Sequence, residues 1–200
     1  MKPAKRRDAG RPRGEAVTEA VMLCTLDELA SHGLSNLSIE RIADAAEVNK
    51  TTIYRRWPTR EALVAGALEY VMLDLDDRLV DTGSLRGDLL VLAEAVAEFM
   101  SQPSGRALAR AALAEPSASA IAALAAEQLS RGAAVAVGQL IQRARARGEW
   151  KTKAPPEAAL SMLVGAILHR TMLEHQPTKG PWLDGVVDLL VVGVAAPTRR

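Results

Sequence analysis

Between Val48 and Arg60 the chain carries four basic residues and no acid. On a helix, Lys50, Thr51, Tyr54 and Arg55 fall on one face, while Ile53 and Trp57, four apart, stack on the opposite face and can pack inward. Guanidinium, ammonium, hydroxyl and phenol groups on one face suit the donor and acceptor edges of a DNA groove. Arginine to guanine is the commonest specific contact, and a threonine methyl can meet the methyl of thymine. Lys50, Thr51, Tyr54 and Arg55 are therefore the candidates for base reading, with Arg55 the best suited. Thr52 and Arg56 flank that face at an angle that reaches phosphates. Basic charge is also common on solvated helix faces, but here it is joined to hydroxyls and a ring, which points to nucleic acid.

Three successive helix starts position this face. Ser38, Asn49 and Thr59 can each accept a hydrogen bond from an orphan backbone N–H and so cap a helix. Leu37, Val48 and Pro58 precede these caps, and Ile42, Ile53 and Leu63 occupy the fourth helical positions. The first two pairs have the form of hydrophobic staples. The expected helices run from Ile39 to about Ala46 and from Lys50 to about Trp57, with Glu47, Val48 and Asn49 between them. Two short helices across a tight turn form a helix-turn-helix, whose second helix can enter the major groove. The backbone N–H groups at Ser38 are further candidates for holding a phosphate.

The stretch resembles the DNA-binding domain of the tetracycline-repressor (TetR) family of transcriptional regulators. Leu37-Ser38, Ile42-Ala43, Ala46, Val48, Thr52-Ile53-Tyr54, Trp57-Pro58 and Glu61-Ala62-Leu63 carry the resemblance, which extends back to about Glu15. One departure is Glu47, where the family's turn usually has glycine; a glutamate at positive φ carries modest strain there. Arg60 matches a family position that holds a phosphate. A cation in the first turn of a helix is slightly unfavourable by the dipole, which a phosphate partner offsets.

The 200-residue chain is 48% hydrophobic but only 3% aromatic, and its net charge is +1. Abundant alanine and leucine favour helices over strands. The charge is unevenly spread: residues 1–60 carry 11 Lys+Arg against 8 Asp+Glu, or +3, and the remainder 14 against 16, or −2. Cys24, the only cysteine, allows no intrachain disulfide and no cysteine zinc cluster, and its place in a helical pattern suits a packed thiol. No run reaches the ~18 apolar residues that span a bilayer, and Met1-Lys2-Pro3 does not begin a secretory signal. The expected location is cytoplasmic, with no membrane partner.

Residues 1–14 form a basic arm with Lys2, Lys5, Arg6, Arg7, Arg11 and Arg13 against Asp8. Beside a helix-turn-helix, Arg11 and Arg13 are candidates to lie along the minor groove. Helix one is expected from Glu15 to His32, with Met22, Leu26, Leu29 and Ala30 as its buried stripe and Gly33 as a left-handed cap against which Leu34 folds back. Residues 15–60 make the reading head. A long helix from Arg60 to about Val80 joins it to a helical body, residues 61–200. Helical stretches follow over 85–101, 105–115, 118 to about 147 (with a kink or interruption near Arg131-Gly132), 156–173 and 182–195. Gln102-Pro103-Ser104, Pro116-Ser117, Gly148 through Pro155 and Gln176 through Pro181 break them. The fold expected is all-α, with a three-helix head and a C-terminal regulatory and dimerisation domain.

The last two helices are too apolar for lone surface helices. They can form the core of a monomer, or a seam in which two helices from each chain make a four-helix bundle. The resemblance implies the homodimer, and a two-fold pair can read two half-sites of a palindromic operator. Leu160, Leu163, Ile167, Val187, Leu190 and Val191 are the candidate seam residues. The resemblance also implies a small-molecule cavity in the body. Phe99, Met100, Leu108 and Leu124 are apolar candidates to line it, together with Met162, His169 and Met172, and few charges among them suggest a largely apolar effector.

An enzyme is the competing class. His169, Glu174 and His175 look like metal ligands, but on a helix they point at about 0°, 140° and 240° and do not converge. No HExxH, GxSxG, phosphate-binding glycine loop or paired-cysteine motif occurs. No catalytic residue, metal site or cofactor is expected. The chain reads as a ligand-responsive regulator, acting as a repressor released from double-stranded DNA by a small effector. A constitutive or architectural DNA-binding protein is the alternative.

Overall fold

The computed structural model describes residues 13–78, 80–113 and 120–195. Among them all regular structure is helical, in the order α1 (Arg13–His32), α2 (Ile39–Ala45), α3 (Lys50–Arg56), α4 (Arg60–Arg78), α5 (Leu85–Ser101), α6 (Pro103–Leu113), α7 (Ala120–Ala146), α8 (Pro156–Met172) and α9 (Pro181–Ala195). The all-α expectation holds. The α5–α6 boundary differs, and the interruption expected in the next helix is not there. Pro103 opens α6 instead of preceding it, because proline at the first helical position has no N–H to lose. Only Gln102 separates α5 from α6. The helix α7 runs unbroken through Arg131-Gly132, since one glycine costs about 1 kcal/mol in a helix otherwise rich in alanine. No helix is long and apolar enough to cross a membrane among the described residues.

Two cores are built from these helices. The head core gathers Val21, Met22, Leu26 and Leu29 of α1, Ile42 and Ala43 of α2, Ile53 of α3, and Leu63, Val64, Ala67 and Leu68 of α4. The expected stripe on α1 holds except for Ala30, which is only half-buried, and Val21 joins it. Cys24 packs half-buried against this core. Burial, and secondarily the charge of Asp27, raises its thiol pKa, away from a reactive thiolate. The body core joins α5, the C-terminal half of α7, α8 and α9. The two cores meet at α6: Leu108 is fully buried in the head core, and Phe99, at the end of α5, packs against both.

Four expected seam residues belong to the body core instead. Leu163, Ile167 and Val187 are 0% exposed and Leu190 is 4%, while Leu160 and Val191 pack half-buried on the same core. These helices are apolar on two faces, and the sequence alone does not say which face turns inward. The outward face carries Met162 and Leu173 at the α8 end, with Leu189 and Val192 on α9, at 65%, 71%, 77% and 71% exposure.

A buried ion network fixes the corner between α4 and α5. Asp88, on the first turn of α5, accepts hydrogen bonds from the Thr82 N–H (2.8 Å), the Thr82 hydroxyl (2.7 Å) and Arg147 Nη2 (2.8 Å). Burial alone would raise its pKa; the bonds from Thr82 and Arg147 and the charge of Arg143 outweigh burial and hold the carboxyl below its ordinary range. Arg147 also pairs with Glu149 at 2.7 Å and Asp81 at 3.1 Å. The end of α7 is thereby tied to the α4–α5 loop and the start of α5.

Candidate nucleic-acid interface

Each of the three caps forms. The Ser38 hydroxyl accepts from the Arg41 N–H at 3.4 Å, the Asn49 side chain from the Thr51 N–H at 2.9 Å, and the Thr59 hydroxyl from the Ala62 N–H at 3.1 Å. A Schellman turn closes α2: the Val48 N–H reaches the Ala43 carbonyl (3.0 Å) and the Glu47 N–H the Asp44 carbonyl (3.2 Å). Glu47 occupies its left-handed position with φ of 53°, the strained geometry that a glycine would relieve. Gly33 caps α1 in the same region, at φ of 70°.

The residue that locks the head is Glu28 of α1, 7% exposed. Its carboxylate accepts from Arg41 Nε at 2.9 and 3.1 Å and from Arg41 Nη2, and it takes the Ser38 N–H at 3.0 Å. His32 Nδ1 lies 3.0 Å away. Arg41 also donates to the Asn36 carbonyl at 2.7 Å. One buried carboxylate thus joins α1, the start of α2 and the loop between them. The Arg41 hydrogen bonds hold Glu28 below the usual carboxylate range, aided by the Ser38 N–H and opposed by burial. The Ser38 N–H, expected to hold a phosphate, is therefore committed to Glu28. The sequence offered only the Glu28/His32 spacing of four as a hint; the partner thirteen residues on follows from the packing of α1 on α2.

Helix α3 presents the expected face. Thr51, Tyr54 and Arg55 are exposed, and Thr52 is half-buried beside them. Arg55 makes no hydrogen bond or ion pair with the described residues, so its guanidinium is available to an outside partner. Lys50 Nζ is held 2.9 Å from Glu40 on α2. Behind the face, Ile53 is fully buried and Trp57 packs half-buried on the head core.

Two arginines depart from the phosphate expectation. Arg56 turns back onto α1, donating to the Gly14 carbonyl (3.1 Å) and the Thr18 hydroxyl. Arg60 is half-buried and donates to the Leu34 carbonyl at 3.0 Å, with its Nε shielded and unpartnered. Arg56 thereby ties α3 to the first turn of α1, and Arg60 ties the start of α4 to the loop that follows α1. Arg11 and the side chain of Arg13 lie outside the described residues.

Gly66 of α4 makes room for Trp57: a Cβ there would stand 2.6 Å from the indole nitrogen. Gly66→Ala should therefore push the indole off its seat. The strain outweighs the better helix propensity of alanine, and we expect a net loss of about 1 kcal/mol in thermal unfolding.

The candidate ligand residues with described side chains are spread over both cores and the surface. Met100 is in the body core and Leu108 in the head core, Phe99 bridges them, and Met172 packs half-buried on the body core. Met162 is 65% exposed, and the His169 side chain is 60% exposed with Nδ1 3.5 Å from Glu174. The side chain of Leu124 is outside the described residues. A spacing that suits one helix face does not reveal which neighbour covers it.

The sequence matches the description "Bacterial regulatory proteins, tetR family" over residues 25–67 and "Tetracyclin repressor-like, C-terminal domain" over residues 79–190, more than half of the chain. It is 27% identical over 173 residues to an uncharacterized HTH-type transcriptional regulator of Mycobacterium tuberculosis, covering 86% of this chain and 84% of the relative. It is 37% identical over 78 residues to the DNA-binding transcriptional repressor TetR of Mycobacteroides abscessus, covering 39% and 41%. The solved TetR family transcription regulator SCO0332 superposes with a TM-score of 0.64 at 27% identity, over 89% of this chain and 98% of that one. With the capped helix pair and its exposed basic face, these likenesses identify the chain as a DNA-binding transcriptional regulator of the tetR family.

Proposed function

We propose that this regulator is a repressor that binds a palindromic operator as a homodimer and is released by a small effector. The observation that carries the proposal is the outward face of α3, where Arg55, without a partner among the described residues, stands beside Tyr54 and Thr51 on the helix that follows the Glu28-anchored α2. Arg55 would read a guanine, Thr51 and Tyr54 base edges or the thymine methyl, and Thr52 a phosphate. Lys50 would join them on exchanging Glu40 for DNA. Residues 1–14, with Arg11 and Arg13, would follow the minor groove. A single short helix reads few bases, so two heads one helical turn apart suit the available contacts. The exposed apolar side chains of Met162, Leu173, Leu189 and Val192 support pairing of two copies through α8 and α9.

The effector would act by population shift, binding better to a form whose heads are mis-spaced for adjacent grooves. Leu108 and Phe99 supply a packed path for that shift, since they place a body helix inside the head core.

The assignment of roles on α3 is tested by two substitutions measured on operator and random duplexes. Arg55→Ala should weaken operator binding by about 1–3 kcal/mol and relax preference at one position per half-site, with little effect on random DNA. Thr52→Val should weaken both duplexes alike, because a phosphate contact carries no sequence information. Equal losses on both duplexes for both variants would mean the face is read wrongly.

A further inference from the structure

A cleft of about 610 Å³ opens between α5, the first turn of α6 and the α8–α9 loop, lined by residues other than the apolar candidates. Its size is within the range of small-molecule sites. Glu94 and Glu98, one helical turn apart on α5, form one wall over the small floor of Ala97 and Leu183; His175 and Lys179 of the loop form another, and Arg106 stands at the α6 end. Carboxylates and cations thus lie on different elements around one space, instead of one sign lining it.

Two further features lie at the cleft. The hydroxyl oxygen of Thr171, which also lines it, is shielded from solvent and has no hydrogen-bond partner among the described residues. A buried hydroxyl left in that state is unfavourable unless something completes it. Among the described residues with positive φ, four are glycines and only Glu47 and His175 are not. Glu47 shapes the turn of the reading head; His175, at φ of 54°, holds its imidazole on the cleft wall where glycine would be relaxed. Strain of this kind gathers at ligand clamps and switches.

The cleft is also connected to the head. Arg106 donates to the Met100 carbonyl (3.3 Å) and to the Ser101 carbonyl, closing the α5–α6 corner. That corner is tight: a Cβ on Gly105 would stand 2.0 Å from the Phe99 carbonyl oxygen. Phe99 touches both cores, and Leu108, one turn after Gly105, is buried in the head core. An anionic group that draws Arg106 off its carbonyls would loosen the corner from which Leu108 projects.

From this geometry we propose that the cleft is an effector site for a small zwitterion with a short apolar body. Its ammonium group pairs with Glu94 and Glu98, and its carboxylate or equivalent anion with Lys179 and Arg106. The effector role, though not the binding, rests on the ligand-responsive function proposed above.

The probes are 8-aminooctanoate, octylamine and octanoate, which share a chain and differ in charge. Calorimetric titration of each into the full chain without DNA should give saturable binding of 8-aminooctanoate, with the two singly charged probes at least about tenfold weaker. Glu94→Gln and Lys179→Gln should each weaken the zwitterion about fivefold or more, while leaving the melting temperature unchanged. Equal binding of either singly charged probe, no binding of the zwitterion at about 10 mM, or indifference to both substitutions would overturn the assignment. Operator affinity is then measured with and without the zwitterion. Saturable binding that leaves operator affinity unchanged supports the site and overturns its effector role. Operator release by another compound, independent of Glu94 and Lys179, overturns the cleft as effector site and leaves the ligand-responsive reading standing.

Discussion

Glu28→Ala is expected to destabilise the head by about 1–3 kcal/mol, the usual consequence of removing the acceptor from buried and charge-assisted hydrogen bonds whose remaining cation, Arg41, is half exposed. The variant leaves the Arg41 guanidinium without its carboxylate and the Ser38 N–H without an acceptor, so the start of α2 loses both its anchor and part of its cap. Glu28→Gln keeps the shape and one acceptor and should lose less. The same carboxylate gives stability a pH dependence with a definite sign. Its folded pKa is depressed, chiefly by the Arg41 hydrogen bonds. Its contribution is therefore complete above the ordinary glutamate pKa of about 4.3 and is lost as pH falls through the lower folded value. Asp88, also depressed, adds a second share in the body. Thermal melts from pH 7 down to pH 3 should show a weaker acid dependence in Glu28→Gln than in the parent. An unchanged melting temperature in Glu28→Ala would show that the head is held by apolar packing alone.

The double variant Leu189→Asp, Val192→Asp is expected to be monomeric while keeping the parent's fold. Both side chains point outward at more than two-thirds exposure, so charging them removes no core contact but places unpaired carboxylates in any apolar interface. Sedimentation should show one chain, and operator affinity should fall at least about a thousandfold, toward non-specific binding. Leu163→Ala provides the contrast. As a fully buried body-core residue it should cost about 2–5 kcal/mol of folding stability. A dimer that survives both aspartates would place the two-fold interface elsewhere.

The reading head was largely legible from sequence because its signals are local. Caps, staples and a glycine cap act within one turn, and Ser38, Asn49, Thr59 and Gly33 do what their types and spacing suggest. Glu28 was not legible, since its partners are Arg41 and the Ser38 N–H on another helix, and a glutamate in an amphipathic helix looks like a surface residue. The partners of Arg56 and Arg60 were hidden for the same reason: the Gly14 and Leu34 carbonyls and the Thr18 hydroxyl that accept from them lie far away in sequence. In the body, periodicity marked Leu163, Ile167, Val187 and Leu190 as packed. It did not say whether the packing is within one chain or between two, because both faces of α8 and α9 are apolar. The cleft at the α8–α9 loop left no periodic trace, being assembled from a loop and the exposed side of α5.

The most direct test of a two-headed reader is selection from random duplex DNA followed by sequencing of the retained pool. Recovery of a palindrome with half-sites about one helical turn or slightly more apart, each with a guanine whose preference relaxes in Arg55→Ala, is the predicted result. Recovery of no motif, with binding that disappears at modest salt, would reduce the interaction to charge attraction and contradict sequence reading by α3.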